Sequence, residues 1–122
     1  MEITPTEVAT VAAAACEHKG GTDPVVIDVS EVLVVTDLFV ITSAKVARQV
    51  KAISDAVEEA LTDYGLKPRA IEGLDTAQWV LMDYGSVVVH VLDEKHRELY
   101  QLERLWGDCP TVDTSALQAY RS

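Results

Sequence analysis

An α/β domain, with a mixed sheet of about five strands flanked by helices, is what this sequence predicts. Segments with helical and strand-like apolar patterns follow one another in the order helix, two strands, helix, three strands, helix. A chain of 122 residues, 48% hydrophobic and 25% charged, can bury one core and is too short for two ordinary domains. The segments divide into an N-terminal helix and linker over 1–23, a body over 24–110 and a C-terminal tail over 111–122.

The first helix is specified by its cap. Thr4-Pro5-Thr6-Glu7 places Thr at N-cap, Pro at the first helical position and Glu three residues beyond the cap, a capping box. Ile3 and Val8 stand at the positions of a hydrophobic staple, and the helix is expected over Pro5–His18, closed by Gly20-Gly21. Val8, Val11, Ala12 and Ala15 form its apolar stripe, narrow enough for close packing. Pro24 then opens Val25-Val26-Ile27-Asp28-Val29, an apolar β-branched run that predicts a strand covered on both faces. Residues 31–35 also have strand propensity, but Asp37 interrupts before the clearer strand Leu38-Phe39-Val40-Ile41.

From Val46 the period changes to threes and fours: Val46, Val50, Ile53, Val57, Ala60 and Leu61 share a face, and Gly65 and Pro68 stop the helix. Strands over 69–72, 78–82 and 86–92 follow, the last two forming a hairpin around Tyr84-Gly85. A two-residue type I′ turn would force Tyr84 to positive φ and set Trp79 opposite His90. A three-residue loop with Gly85 in the left-handed region avoids that cost, sets Trp79 opposite Val89, and is the expected arrangement. A last helix over 94–106, capped by Asp93 and stopped by Gly107 and Pro110, would bury Leu99, Leu102 and Trp106. Residues 111–122 show no period and are expected to fray or drape over the surface.

Charge narrows the function. Twenty Asp and Glu against ten Lys and Arg give a net charge of -10, which opposes direct nucleic-acid binding and favours a basic protein partner. The only basic island, Lys45, Arg48 and Lys51, has helical spacing and reads as a solvated rim. Neither Cys16 nor Cys109 begins a C-x-x-C pair, so two reduced thiols are expected. Without a signal-peptide pattern at Met1-Glu2-Ile3-Thr4-Pro5 or an apolar run of membrane-spanning length, the expected location is cytoplasmic, with no membrane association.

Catalytic signatures are missing: no phosphate-binding glycine loop, no nucleophile elbow, no Asp-x-Asp pair for two-metal nucleotidyl transfer. Asp28 and Asp37 could converge at strand ends as a nucleotide or metal site, but Asp28 reads better as bonding nearby backbone and Asp37 as capping a turn. Cys16 and His18 supply too few ligands for structural zinc. His90 reads as a hydrogen-bonded residue of the sheet rather than a catalytic one. Trp79, Met82, Tyr84, Tyr100 and Trp106 are concentrated late in a chain that is only 6% aromatic, and such residues are favoured interface anchors. Glu72, Asp75, Asp83, Glu98 and Glu103 would border them with the negative charge that steers a basic partner. A binding module is therefore expected, not an enzyme, with no catalytic residue, metal or cofactor.

The motifs Glu72-Gly73, Trp79-Val80-Leu81-Met82-Asp83-Tyr84-Gly85, Val88-Val89-His90-Val91 and Tyr100-x-Leu102-Glu103-x-Leu105-Trp106 resemble those of the ribosomal silencing factor family, RsfS, also called Iojap-like proteins. Upstream, Asp28-Val29, Asp37-x-Phe39-Val40-Ile41 and Arg48-Gln49-Val50 are similar too, so the likeness runs over about residues 24–110. It implies a nucleotidyltransferase-like fold without the catalytic motif. It also implies a factor that binds ribosomal protein L-fourteen of the large subunit and sterically blocks small-subunit joining, repressing translation under nutrient limitation. Homodimers occur in the family. Trp79, Tyr100 and Glu103 match its motif positions and are the first candidates for partner contact, followed by Met82, Glu72 and His90. The alternative is a nucleotidyltransferase-like enzyme or nucleotide sensor using Asp28 and Asp37. The chain departs from the family where Ala44 and Val46 replace the usual Gly and Ser before the long helix, which would leave capping to Thr42 or Ser43.

Overall fold

The Thr4 hydroxyl accepts the backbone N–H of Glu7 at 3.2 Å, and the Glu7 carboxylate accepts that of Thr4 at 3.1 Å. Helix α1 (Pro5–His18) thus opens on the complete capping box. This computed structural model describes residues 3–113. Strands β1 (Thr22–Asp28) and β2 (Leu38–Ala44) follow, then helix α2 (Ala47–Thr62), strands β3 (Ala70–Glu72), β4 (Trp79–Asp83) and β5 (Val87–Asp93), helices α3 (Glu94–Tyr100) and α4 (Leu102–Leu105), and strand β6 (Thr111–Val112).

The sheet is mixed, with strand order β3-β4-β5-β2-β1-β6. β2 and β5 pair in parallel at its centre, and the other pairs are antiparallel. Because side chains alternate between faces, the sheet carries two cores. On one face, Val40, Val80, Met82, Val89 and Val91 pack with Val50, Ile53, Val57 and Leu61 of α2 and with the alanines of α1. Those alanines let α1 approach closely, and Cys16 among them is fully buried, its thiol pushed up to about 12 by desolvation and so kept unreactive. On the other face, Ile27, Val29, Phe39, Ile41 and Leu92 meet Leu102, Trp79 and Trp106. Both faces of β2 are therefore covered, and every one of its residues is buried.

Four sequence expectations need correction, and the course of residues 31–35, which the sequence left open, is settled. The sheet has six strands, because Thr111–Val112 pairs with β1 instead of fraying; Val112 packs on the first core and the Pro110 carbonyl accepts the Asp28 N–H at 2.8 Å. Two residues are too few to show a period; the rest of the expected tail, 114–122, lies outside the described residues. Residues 31–35 form a turn: the Val29 carbonyl accepts the N–H groups of Val32 and Leu33, and Val32, Val34 and Val35 face outward.

Helix α2 starts at Val46 with no side-chain cap. Thr42 and Ser43 belong to β2 and use their hydroxyls elsewhere, Thr42 donating to the Thr22 carbonyl at 2.9 Å and Ser43 accepting from Arg97 at 3.1 Å. The hairpin turns on Gly85-Ser86, so Trp79 pairs with Leu92, neither with Val89 nor with His90. Gly85 alone there has positive φ, at 86°, and its N–H donates to the Asp83 carboxylate at 2.8 Å. That pattern fits a turn with Gly first, which spares Tyr84 any left-handed strain. Finally, the last helix breaks at Gln101, whose φ of 46° and ψ of 55° are left-handed. Its cap is as expected, with the Asp93 carboxylate accepting the His96 N–H at 2.7 Å. The break resets the helical phase, so Leu102 is buried while Leu99 is 67% exposed.

Candidate functional site

The second sheet face carries a row of rings. Trp106 meets Phe39 edge-on at 5.3 Å between centroids, Phe39 meets His90 edge-on at 4.7 Å, His90 lies 5.9 Å from Trp79, and Trp79 lies 5.0 Å from Tyr100. His96 stacks on the outer side of Tyr100 at 6.0 Å. The middle of the row, Phe39 and His90, is buried, and toward one end the rings open to solvent, Trp79 being half-buried and Tyr100 50% exposed. Strand geometry explains the order. Leu81 is paired with His90, so Trp79, two residues before it, is the diagonal neighbour of His90 on the same face.

The Trp79 indole N–H donates to Nδ1 of His90 at 3.1 Å. This puts the imidazole proton on Nε2, which is buried and has no partner among the described residues. Burial holds the His90 pKa down to about 4 from 6.5. The unfolded chain then binds the proton more readily than the folded one. The stability due to neutral His90 is present above about pH 6.5 and is lost as pH falls through about 4, by roughly 3 kcal/mol over the window. Replacing His90 with Gln, which keeps an acceptor and does not titrate, should flatten urea-derived stability between pH 7 and pH 4 relative to the parent chain. Parallel profiles would show that His90 carries no such linkage.

The other sequence candidates fall into three groups. Glu72 is exposed at the β3 edge, opposite Leu81 and so on the aromatic face. Glu103 is engaged within the chain: its two carboxylate oxygens accept Nε and Nη2 of Arg97, both at 3.0 Å. Met82 and His90 are buried, so neither presents a contact surface. For Met82 the reason is parity: three residues from Trp79 along one strand, it points to the opposite face, under the helices.

Asp28 spends its carboxylate on Ser30, accepting the hydroxyl at 2.6 Å and the backbone N–H at 2.9 Å, and these bonds hold its pKa below the usual range. Asp37 is exposed, its backbone joining Val29 and Ser86. No three His, Cys, Asp or Glu side chains among the described residues come together as metal ligands. Lys45, Arg48 and Lys51 are exposed around the start of α2.

Sequence reasoning missed Arg97, Leu99 and Leu105. The two leucines are 67% and 71% exposed, and Arg97 donates to both carboxylate oxygens of Glu103 across the break at Gln101.

A mixed six-strand sheet flanked by helices, with α1 and α2 on one face and the row of rings on the other, makes this a single α/β domain. The profile of the family described as "Ribosomal silencing factor during starvation" matches residues 2–122, and the chain belongs to that family. It is 40% identical over 103 residues to the ribosomal silencing factor RsfS of Bacillus subtilis, covering 84% of this chain and 87% of that protein. A solved structure from Chromobacterium violaceum superposes with a TM-score of 0.83 at 32% identity, covering 86% of this chain and 88% of that one. Another, from Bacillus halodurans, gives 0.78 at 32% identity over 88% and 98%. A mouse relative, 36% identical over 69% of this chain and 38% of its own length, is named for mitochondrial assembly of the large ribosomal subunit.

Proposed function

We propose that this silencing factor docks on the large ribosomal subunit through ribosomal protein L-fourteen and obstructs the joining of the small subunit, lowering translation when nutrients are scarce. The observation that carries this reading is the exposed end of the aromatic row, Trp79 with Tyr100, on a chain of net charge -10. Aromatic side chains that are rigidly backed and open on one side are the usual anchors of a protein interface. Acidity supports attachment to a basic ribosomal protein in preference to RNA, since approach to phosphate would be repulsive. Glu72, Asp75 and Glu98 remain exposed to steer such a partner. Obstruction asks only for bulk and a foothold, which a domain of this size provides by burying about 800 Å² on each side. The same reading places the protein in the cytoplasm and allows a homodimer, which light scattering of the purified chain would detect.

The test is sedimentation of purified subunits. The chain should travel with large subunits, not small ones, and its addition before mixing should reduce the yield of joined ribosomes. Glu72→Lys with Glu98→Lys should slow association and lessen its dependence on salt. Undiminished joining with large subunits fully occupied would overturn obstruction as the mechanism.

A further inference from the structure

Residues 94–106 read as one continuous helix, yet the chain breaks at Gln101 with no glycine, proline or asparagine there to favour it. A non-glycine residue in the left-handed region carries a backbone cost that some fixed contact must offset. Arg97 provides such a contact. Its Nε and Nη2 grip the two oxygens of Glu103 at 3.0 Å each, on the far side of the break. In an unbroken helix, residues six apart are separated by about 9 Å along the axis and about 240° around it, so this two-pronged pairing requires the kink.

The same guanidinium is tied to the sheet. Nη1 donates to the Thr22 carbonyl at 2.6 Å and to the Ser43 hydroxyl at 3.1 Å, and Nη2 to the Asp23 carbonyl at 2.9 Å. The β1 register shifts between Thr22 and Val25, with Asp23 at a φ of 41°. All five N–H donors of Arg97 are thereby engaged, with its side chain only 13% exposed. It has no donor left for a partner. Tyr100, the residue just before the break, is the one set against Trp79.

We propose that Arg97 is a positioning residue for partner binding: its clamp on Glu103, Thr22, Asp23 and Ser43 holds the kink at Gln101 and so fixes Tyr100 against Trp79. The inference rests on the reading of Trp79 and Tyr100 as the docking anchors. Its test is Arg97→Lys, which keeps the charge but replaces the planar fork with a single ammonium. Binding to purified large subunits should be measured where urea titration shows the variant fully folded.

Expected are loss of nuclear Overhauser contacts between the Trp79 and Tyr100 rings and binding weakened by about tenfold or more. Because Arg97 acts through Tyr100, adding Arg97→Lys to Tyr100→Ala should weaken binding no further. Glu103→Gln, the milder lesion on the other side of the clamp, should shift the same ring contacts if Arg97→Lys folds poorly. A folded Arg97→Lys with intact ring contacts and parental affinity would overturn the proposal, as would full additivity with Tyr100→Ala. Unchanged binding by Tyr100→Ala alone would instead remove the docking anchor, and this inference with it.

Discussion

Gly73→Ala should lower stability by roughly 3 kcal/mol, the sum of placing a side chain at positive φ and forcing a contact into packed structure. In thermal unfolding that corresponds to a fall of roughly 10 °C or more. Gly73 sits at a φ of 90° just past β3, and a methyl group there would fall on the carbonyl oxygen of Trp79. That oxygen is backbone and cannot swing aside, so either the turn or the start of β4 must shift. The damage should therefore extend from stability to the docking face, because Trp79 links the buried His90 to Tyr100 at the exposed end of the aromatic row. Gly65→Ala is the control. Gly65 also has positive φ, 78°, but an added methyl group there has nothing within 4 Å. It should show only the conformational part, roughly 1 kcal/mol. Equal losses in the two variants would mean that the approach to Trp79 is not what Gly73 provides.

What could be read from the sequence was whatever local chemistry decides. Thr4, Pro5 and Glu7 specify the first helix start among themselves, and Asp93 caps α3 within one turn, so neither depends on the rest of the chain. The strong period of Val50, Ile53, Val57 and Leu61 likewise places α2 on the sheet. Features set by distant partners were not legible. β6 exists because β1 offers it an edge, and the kink at Gln101 because Arg97 reaches Thr22, Asp23 and Ser43, far away in sequence. Leu99, given a buried position by an unbroken helix, is exposed for that reason.

The hairpin register failed through its turn. Centring the loop on Gly85-Ser86 moved every partner of Trp79, although its link to His90 survives diagonally. Two candidate-site residues differ in how far their surroundings could be read from the sequence. The placement of Met82 was legible, since three residues along a strand reverses the face, whereas the engagement of Glu103 could not precede knowledge of the kink.

Tyr100→Ala should weaken binding to the large subunit by about thirtyfold or more, equivalent to about 2 kcal/mol, while leaving the fold nearly as stable as before. The asymmetry follows from exposure: half of Tyr100 already faces solvent, so truncation removes little of the core. Trp79→Ala should weaken binding at least as much but also reduce stability. It leaves Nδ1 of the buried His90 without its donor and removes the ring between His90 and Tyr100. Trp79→Phe separates these effects, because it fills much of the space yet cannot donate to His90. If the indole matters mainly through packing and contact area, Trp79→Phe recovers most of the affinity; if its hydrogen bond sets the orientation that the partner reads, affinity stays low although the ring is restored. Sedimentation with large subunits measures the first quantity and urea unfolding the second, on the same preparations. Parental binding by both folded alanine variants would rule out the exposed end of the aromatic row as the docking anchor and leave the factor's foothold to another surface.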